Sequence, residues 1–439
     1  MNKFIETIKN IISIEELRNR ILYTIGFLVV FRLGSYVLLP GIDSEKLQSG
    51  AGIFDFINLF AGGAFNRASI FALGIMPYIS ASIVIQLLTV ALPSFQKMQK
   101  EGESGRKKIT QITRVLTIAI TLVQGSSYVA AYITPEAIVM DRAIFVPLSV
   151  VILTTGTMFA MWLGEKITDR GIGNGISMLI MIGIISGLPQ AIQQELSSNG
   201  LLLFILEGIA LFFVIMAIIL LTQAVRRIPI QYAKQVTGAK TTAQVGRGQR
   251  SYLPLKVNAA NVMPIIFAQS LMFAPSLIAG QFAEQSDAAS YIQQAYSDIT
   301  SWEYNLTFAL LIIVFTFFYT AITVDPNKMK DDLKRGGAFI PGIKPGQPTA
   351  DYIATVLDRI TLPGAVYLGI VAILPAFAQL AGVQPSFAQF YGGTSLIIMV
   401  GVVLDTLQQI ESYLLMRQYD GLMKSGRVKG QSQNPAVAS

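Results

Sequence analysis

Apolar stretches of eighteen residues or more recur along the whole chain, and they constrain its fold more than any other feature. Hydrocarbon offers no water to backbone N–H and C=O groups. A segment that crosses it must therefore bond internally, as a helix of about 20 apolar residues does. Ten such segments can be drawn, at about 20–39, 74–92, 112–133, 143–164, 175–190, 202–223, 257–279, 306–324, 362–380 and 392–412. Only 13% of the 439 residues are charged, against about 25% in soluble domains. The pattern predicts an all-α polytopic membrane protein.

Lysine and arginine between the spans set the orientation. The N-terminal segment holds four, the loop at 93–114 six, 165–174 two, 224–256 seven, 325–361 six and the C-terminal tail four. The alternate set of loops holds only Lys46, Arg67 and Arg142, and Arg32 falls inside the first span. Basic residues stay on the cytoplasmic side. Ten spans with both ends in the cytoplasm follow. The N-terminus lacks the pattern of a cleavable signal, and Phe4, Ile5, Ile8, Ile11 and Ile12 share one side of a short amphipathic helix, either interfacial or solvated.

The apolar run from Ile53 to Leu92 is long enough to cross twice. Two crossings would turn every later basic loop outward, so the run crosses once. The piece from Ile53 to Arg67 then enters from outside and returns, lies buried against other helices, or is an apolar external loop. Irregular backbone at membrane depth is tolerated only inside protein or beside water, which favours the re-entrant reading.

Ten spans divide into five and five, and an odd half repeats only in inverted topology. Two sequence matches lie five spans apart. "IMPYISAS" (75–82) pairs with "VMPIIFAQS" (262–270), and "GISMLIMIG" (175–183) with "GTSLIIMVG" (393–401). Each brings isoleucines to equivalent places, Ile79 with Ile266 and Ile180 with Ile398. These are either ordinary packing or a hydrophobic constriction that blocks water and ions by dewetting.

The sequence has no Cys and no His, which removes disulfides, thiolate or imidazole metal ligands and the Ser-His-Asp triad. No metal, cofactor or catalytic set is expected. Within the spans the charged residues are Arg32, Glu207 and Asp405, without an obvious pair and near span ends, where side chains snorkel to the interface. Gln86, Gln124, Asn258 and Gln269 are neutral polar residues able to hydrogen-bond between helices. "RGIGNGIS" (170–177) lacks the strand and GK[ST] of a phosphate cradle and reads as a flexible hinge opening the fifth span. The basic loops at 226–258 and 325–359 are either solvated or shaped for an anionic partner.

"GIMPYISASI", "EGESGRKKI", "GTMFAMWLGEKITDRGIGNGIS", "LPLKVN", "GAFIPGIKPG" and "GGTSLII" occur in this order. From about residue 18 to about 420 the chain resembles the bacterial SecY family of protein-conducting channels. The resemblance implies a pore between inverted halves, here 20–190 and 191–412, after an N-terminal helix at 1–19 and before a tail at 413–439. It implies a pore ring of Ile75, Ile79, Ile176, Ile180, Ile266 and Ile398. The re-entrant piece becomes a plug helix at about 53–67, with Ile53, Phe54, Phe56, Ile57, Leu59, Phe60, Gly62, Gly63 and Arg67. Gln86 and Asn258 fall on the polar contacts of a lateral gate between spans 2–3 and 7–8. Arg226, Arg227, Lys234, Arg247, Arg250, Lys334, Arg335, Lys344 and Arg359 fall on docking surfaces, and Lys344 stands where many relatives have Arg, keeping the charge without the planar fork. The implied partners are SecE and SecG subunits, the SecA ATPase motor, the ribosome through its large-subunit RNA and proteins, signal-bearing precursors and membrane lipids. The implied location is the cytoplasmic membrane. A secondary transporter, a membrane enzyme and a non-conducting scaffold are the rival readings of the residues.

Overall fold

A computed structural model describes residues 14–43, 46–47, 58, 60–232, 250–282 and 286–424. In chain order the helices are α1 (Glu15–Gly34), α2 (Met76–Ala91), α3 (Pro93–Lys100), α4 (Glu103–Ala131), α5 (Arg142–Arg170), α6 (Gly175–Gln223), α7 (Met263–Phe282), α8 (Asp287–Ser297), α9 (Trp302–Thr323), α10 (Pro326–Arg335), α11 (Gln347–Leu380), α12 (Pro385–Ala388) and α13 (Gly393–Lys424). Among the described residues six helices are long and apolar enough to cross a membrane, or seven if α2 and α3, bent by 99° at Leu92, form one span. The chain is a multi-pass membrane protein.

The helices overrun the apolar segments because helix propensity continues into water where hydrophobicity stops. α4 begins at Glu103, α11 at Gln347, and α13 runs on to Lys424. α6 runs through 49 residues, a length of about 74 Å if straight. That is more than twice the hydrocarbon thickness of about 30 Å. Gly200, at φ 75° and ψ 169°, breaks it, in the left-handed region that a side chain would strain. The fifth and sixth predicted spans lie on either side of this residue.

The matched sequences start helices at matched residues. Met76-Pro77 opens α2 and Met263-Pro264 opens α7, proline being free of an N–H to lose in the first turn. The aligned glycines Gly175 and Gly393 open α6 and α13.

α1, α2, α4, α5 and α6 pack on one another, as do α7, α9, α11 and α13, while α6 meets α13 across the middle. A central apolar cluster draws on Phe31, Ile79, Leu179, Phe267, Phe387 and Ile398, so it belongs to both groups.

The expectation of an all-helical chain needs one correction. The two long basic loops form a three-stranded antiparallel sheet in the order β2-β1-β3, with β1 Val225–Tyr232, β2 Arg250–Lys256 and β3 Ala338–Phe339. Ile228 and Ile230 alternate inward and pack with Leu255, Ile340, Ile353 and Leu357 in a core of their own. Pro229 sits in the central strand without breaking it, because β3 pairs only at Gln231 and Tyr232 and leaves that edge open beside the proline. Prolines and turn residues hid this period-two pattern from a reading by composition.

The 170–177 turn is not a free hinge. The Ile172 amide donates to Thr24 Oγ1 (3.0 Å), the Gly173 amide to Gln409 Oε1 (2.9 Å), and Arg20 Nη1 to the Gly171 carbonyl (3.3 Å). Asn174 caps α6 by accepting from the Ile176 and Ser177 amides. Its glycines serve close packing, for a Cβ on Gly175 would stand 1.9 Å from the Gly164 carbonyl.

Candidate functional site

Two large cavities occupy the interior. One, of about 390 Å³, is lined by Tyr78, Asn174, Thr222, Asn258, Tyr319 and Asp405 among others. The second, of about 430 Å³, is lined by amides and small residues that include Asn58, Gln190, Gln194, Gln384 and Gln389. The two share no lining residue.

One face of α6 runs from the first cavity to the second. Ile176, Ser177 and Ile180 line the first, and Gly183, Ser186, Gly187, Gln190 and Gln194 line the second. The division falls between Ile180 and Gly183, three residues and about 4.5 Å apart at 1.5 Å of rise each. Along α6 the two linings are thus less than one helical turn apart.

This division is apolar. Ile79, Ile176, Ile180, Ile266 and Ile398 line the first cavity. Ile79 and Ile180 also border a void of about 10 Å³ with Ile75 and Phe60, and a second void of that size lies between Phe60, Ile79 and Ile266. All six isoleucines named from the sequence come together in one cluster. Ile75, Ile79, Ile180 and Ile398 are buried, and Ile176 and Ile266 pack half-buried against them. Ile75 caps α2 rather than lying in it, one turn before Ile79. Branched at Cβ and held in a helix or at its end, these side chains are stiff about χ1 and have no polar atom for water to grip.

Phe60 belongs to this cluster, and Gly62, Gly63 and Arg67, a few residues on, line the second cavity. From Ala61 to Ile75 the chain is a run of turns rather than a helix. It is buried through Ala61, Ala64, Phe65, Ala68, Phe71 and Ala72. Tyr128 Oη donates to the Phe65 carbonyl (2.7 Å) and Tyr132 Oη to Asn66 Oδ1 (3.0 Å). Ile53, Phe54, Phe56, Ile57 and Leu59 lie outside the described residues, as do Phe4, Ile5, Ile8, Ile11 and Ile12.

The charged residues within the spans depart from the snorkelling expectation. Arg32 turns inward and donates from Nη1 to the Gly62 carbonyl at 2.7 Å. Glu207 is buried beside Glu195, whose Oε2 accepts from the Gln384 amide (2.9 Å), and Glu207 Oε2 has no partner among the described residues. Asp405 is exposed to the first cavity. Sequence spacing alone gave no sign of the Arg32 and Glu195 contacts, because both partners are distant backbone groups.

Of the polar neutral residues, Gln269 Nε2 donates to Tyr304 Oη (3.2 Å) and joins α7 to α9. Gln86 Oε1 and Asn258 Oδ1 are different. Both oxygens are buried without a donor among the described residues. The structure therefore does not show the interhelical hydrogen bonds expected of them.

On the sheet side, Arg226, Arg227, Lys344 and Arg359 are exposed, and Lys334 and Arg335 close the last turn of α10, where cations complement the helix dipole. Arg250 begins β2, and Lys234 and Arg247 lie outside the described residues. Among the described residues no group of His, Cys, Asp and Glu is placed to hold a metal ion.

The SecY family model matches residues 69–407, more than three quarters of the chain. The chain belongs to the SecY family. It is 42% identical over 432 residues to a protein translocase subunit SecY of Streptomyces scabiei, covering 93% of this chain and 97% of that one. Its fold is similar to a solved structure titled as a protein conducting channel, with a TM-score of 0.64, 15% identity and coverage of 93% and 94%. It is also similar to Sec61 in a canine ribosome-channel complex from the endoplasmic reticulum, with a TM-score of 0.60, 14% identity and the same coverage.

Proposed function

We propose that this SecY-family chain is the channel subunit of the Sec protein translocase of the cytoplasmic membrane, and that unfolded polypeptides cross it through the six-isoleucine constriction. The observation that carries this reading is the pair of large cavities that share no lining residue, with the cluster of six isoleucines beside them. A soft ring without directional bonds can close on itself and refit around an extended chain of any sequence. The reading assigns no catalysis to the chain, so drive comes from outside it.

In this reading ten spans cross the membrane with both ends cytoplasmic. Gly200 divides α6 into the fifth and sixth, and α1 and α7 join the helices that meet the length and hydropathy criterion. Residues 20–190 and 191–412 are the two inverted halves, supported by the matched helix starts. The first cavity is the cytoplasmic vestibule and the second the outer one. Residues 53–67 form the plug, supported by Phe60 in the isoleucine cluster. Gln86 and Asn258 belong to a lateral gate through which apolar signal helices reach lipid, a transfer favoured by about 25 cal/mol per Å² of apolar surface. The exposed basic residues of the sheet and of α10 are the docking surface for the ribosome and the SecA motor, with SecE and SecG as membrane partners.

The test uses the absence of cysteine. Single variants Ile79→Cys and Ile398→Cys are assembled with their partner subunits, and a secretory precursor carrying a photo- or thiol-reactive probe is stalled in transit. Cross-links at both positions, lost when the signal sequence is deleted, are expected. No cross-link at either, with a cysteine at Lys344 labelled normally, overturns the path.

A further inference from the structure

We propose that Arg32 is a positioning residue that latches the plug segment shut through the Gly62 carbonyl. The inference rests on the channel reading above and adds a contact between the first helix and the plug that the sequence did not suggest.

The Gly62 carbonyl is the meeting point of three donors from three parts of the chain. Arg32 Nη1 of α1 approaches to 2.7 Å, Arg67 Nη2 to 3.3 Å, and Ser186 Oγ of α6 to 3.5 Å. Arg67 Nε also donates to the Gly63 carbonyl at 3.1 Å. The two guanidinium groups share one aromatic platform, with Arg32 Cζ 5.1 Å and Arg67 Cζ 4.3 Å from the centre of the Tyr36 ring. Arg32 Nη2 donates to Tyr36 Oη at 3.3 Å. Among the described residues neither arginine forms an ion pair with a carboxylate. The guanidinium of Arg32 is thus committed to a neutral backbone oxygen, an arrangement that a merely solvated arginine has no reason to adopt.

The backbone is shaped to admit these donors. Gly62 and Gly63 have φ of +64° and +82°, where a side chain is strained. A Cβ on Gly62 would stand 2.8 Å from Arg32 Nη1 and 2.9 Å from Ser186 Oγ, and one on Gly63 would stand 2.4 Å from Arg67 Nη2. Behind them, a Cβ on Gly183 would stand 2.4 Å from the Phe60 carbonyl. The segment is therefore seated between α6 and Arg32 of α1, backbone first, with Arg67 folding back on its own carbonyls. Apolar contact between Phe60 and the isoleucines is non-directional and fixes no single position. The charge-assisted bonds to Gly62 do, and they are the stronger kind of hydrogen bond.

The complete translocase, reconstituted in liposomes without motor or precursor, reports the latch as leak of a small anion. A second readout is the rate at which a water-soluble maleimide modifies Phe60→Cys. Arg32→Gln is expected to raise both about tenfold or more, the factor of one lost charge-assisted bond. Arg32→Lys keeps one donor and the charge without the fork, and is expected to fall between. Arg67→Gln and Tyr36→Leu each remove one member of the site and are expected to raise leak less than Arg32→Gln, so they decide the matter if Arg32→Gln is not recovered folded. Leak and labelling at the wild-type level in every recovered variant, while a stalled precursor still cross-links at Ile79, would overturn the latch and leave the channel reading standing. Loss of that cross-link in the unmodified latch background would instead remove the channel reading on which the latch rests.

Discussion

Replacing Gln86 with leucine should make the channel harder to open. In the structure Gln86 Oε1 is buried with no donor among the described residues. A buried acceptor left unpaired costs about 1–3 kcal/mol. Leucine has no such atom, so the substitution removes that cost from the closed arrangement. When the gate helices part, the glutamine oxygen is free to meet water, and the wild type recovers the energy that the variant never lost. The ratio of open to closed channels should therefore fall by about fivefold to 150-fold in Gln86→Leu. Asn258 Oδ1 is in the same position and its side chain borders the 390 Å³ cavity, which leaves room for the larger leucine. The two effects should add if the sites have no common partner. The assay is the initial rate of precursor uptake into proteoliposomes at limiting motor, with the open fraction of single channels in planar bilayers beside it. Uptake by the folded Gln86→Leu protein at or above the wild-type rate would refute the reasoning, because it would mean that the oxygen is better served closed than open.

Three further outcomes follow from packing. Gly183→Ala places a methyl group 2.4 Å from the Phe60 carbonyl, so the segment must lift, and resting ion leak should rise while precursor cross-linking at Ile398 persists. Ile353→Ala empties a fully buried site in the small sheet core, a loss of about 2–5 kcal/mol confined to that unit. Limited proteolysis should then cut the 224–256 and 325–361 regions sooner, and ribosome affinity should fall while the melting of the membrane part is unchanged. Arg114→Lys breaks a forked pair with Glu165, whose two bonds measure 3.1 and 2.6 Å. Arg114 is 44% exposed, so solvent screening limits the expected loss to about 1 kcal/mol or less, read as a small drop in the melting temperature of the purified channel.

The parts of this architecture that follow from one-dimensional pattern were legible in the sequence. Apolar length gave the membrane class, and the spans drawn from 74, 175 and 392 begin within two residues of the helices at Met76, Gly175 and Gly393, while the one drawn from 257 begins six residues before Met263. The internal repeat singled out Ile79 with Ile266 and Ile180 with Ile398, while Ile75 and Ile176 came only from the family resemblance. What was not legible depends on contacts between distant segments. Ile228 and Ile230 alternate as a strand should, but Pro229 between them argues against one until the partner strand is seen to leave its edge open. Arg32 looks like an interfacial arginine until the backbone of Gly62 is placed against it. Glu195 and Glu207, separated by a break at Gly200, become neighbours only because that glycine lets the chain turn back.

In the proposed channel the site needs two kinds of interaction. A ring of apolar side chains excludes water by dewetting, which serves a pore that must part around many sequences. The same contacts do not specify where Phe60 should rest, since dispersion between methyl groups changes little over small displacements and each contact contributes only about 0.1–0.2 kcal/mol. Directional bonds supply what the ring lacks. The Gly62 carbonyl accepts from Arg32 along a line that holds for one seating of the segment, and Gly183 admits the backbone at that seating and leaves no room for a side chain. A seal of this design closes in one register and opens by breaking a few polar bonds outside the ring. The isoleucines themselves remain free of any bond that a passing chain would have to break.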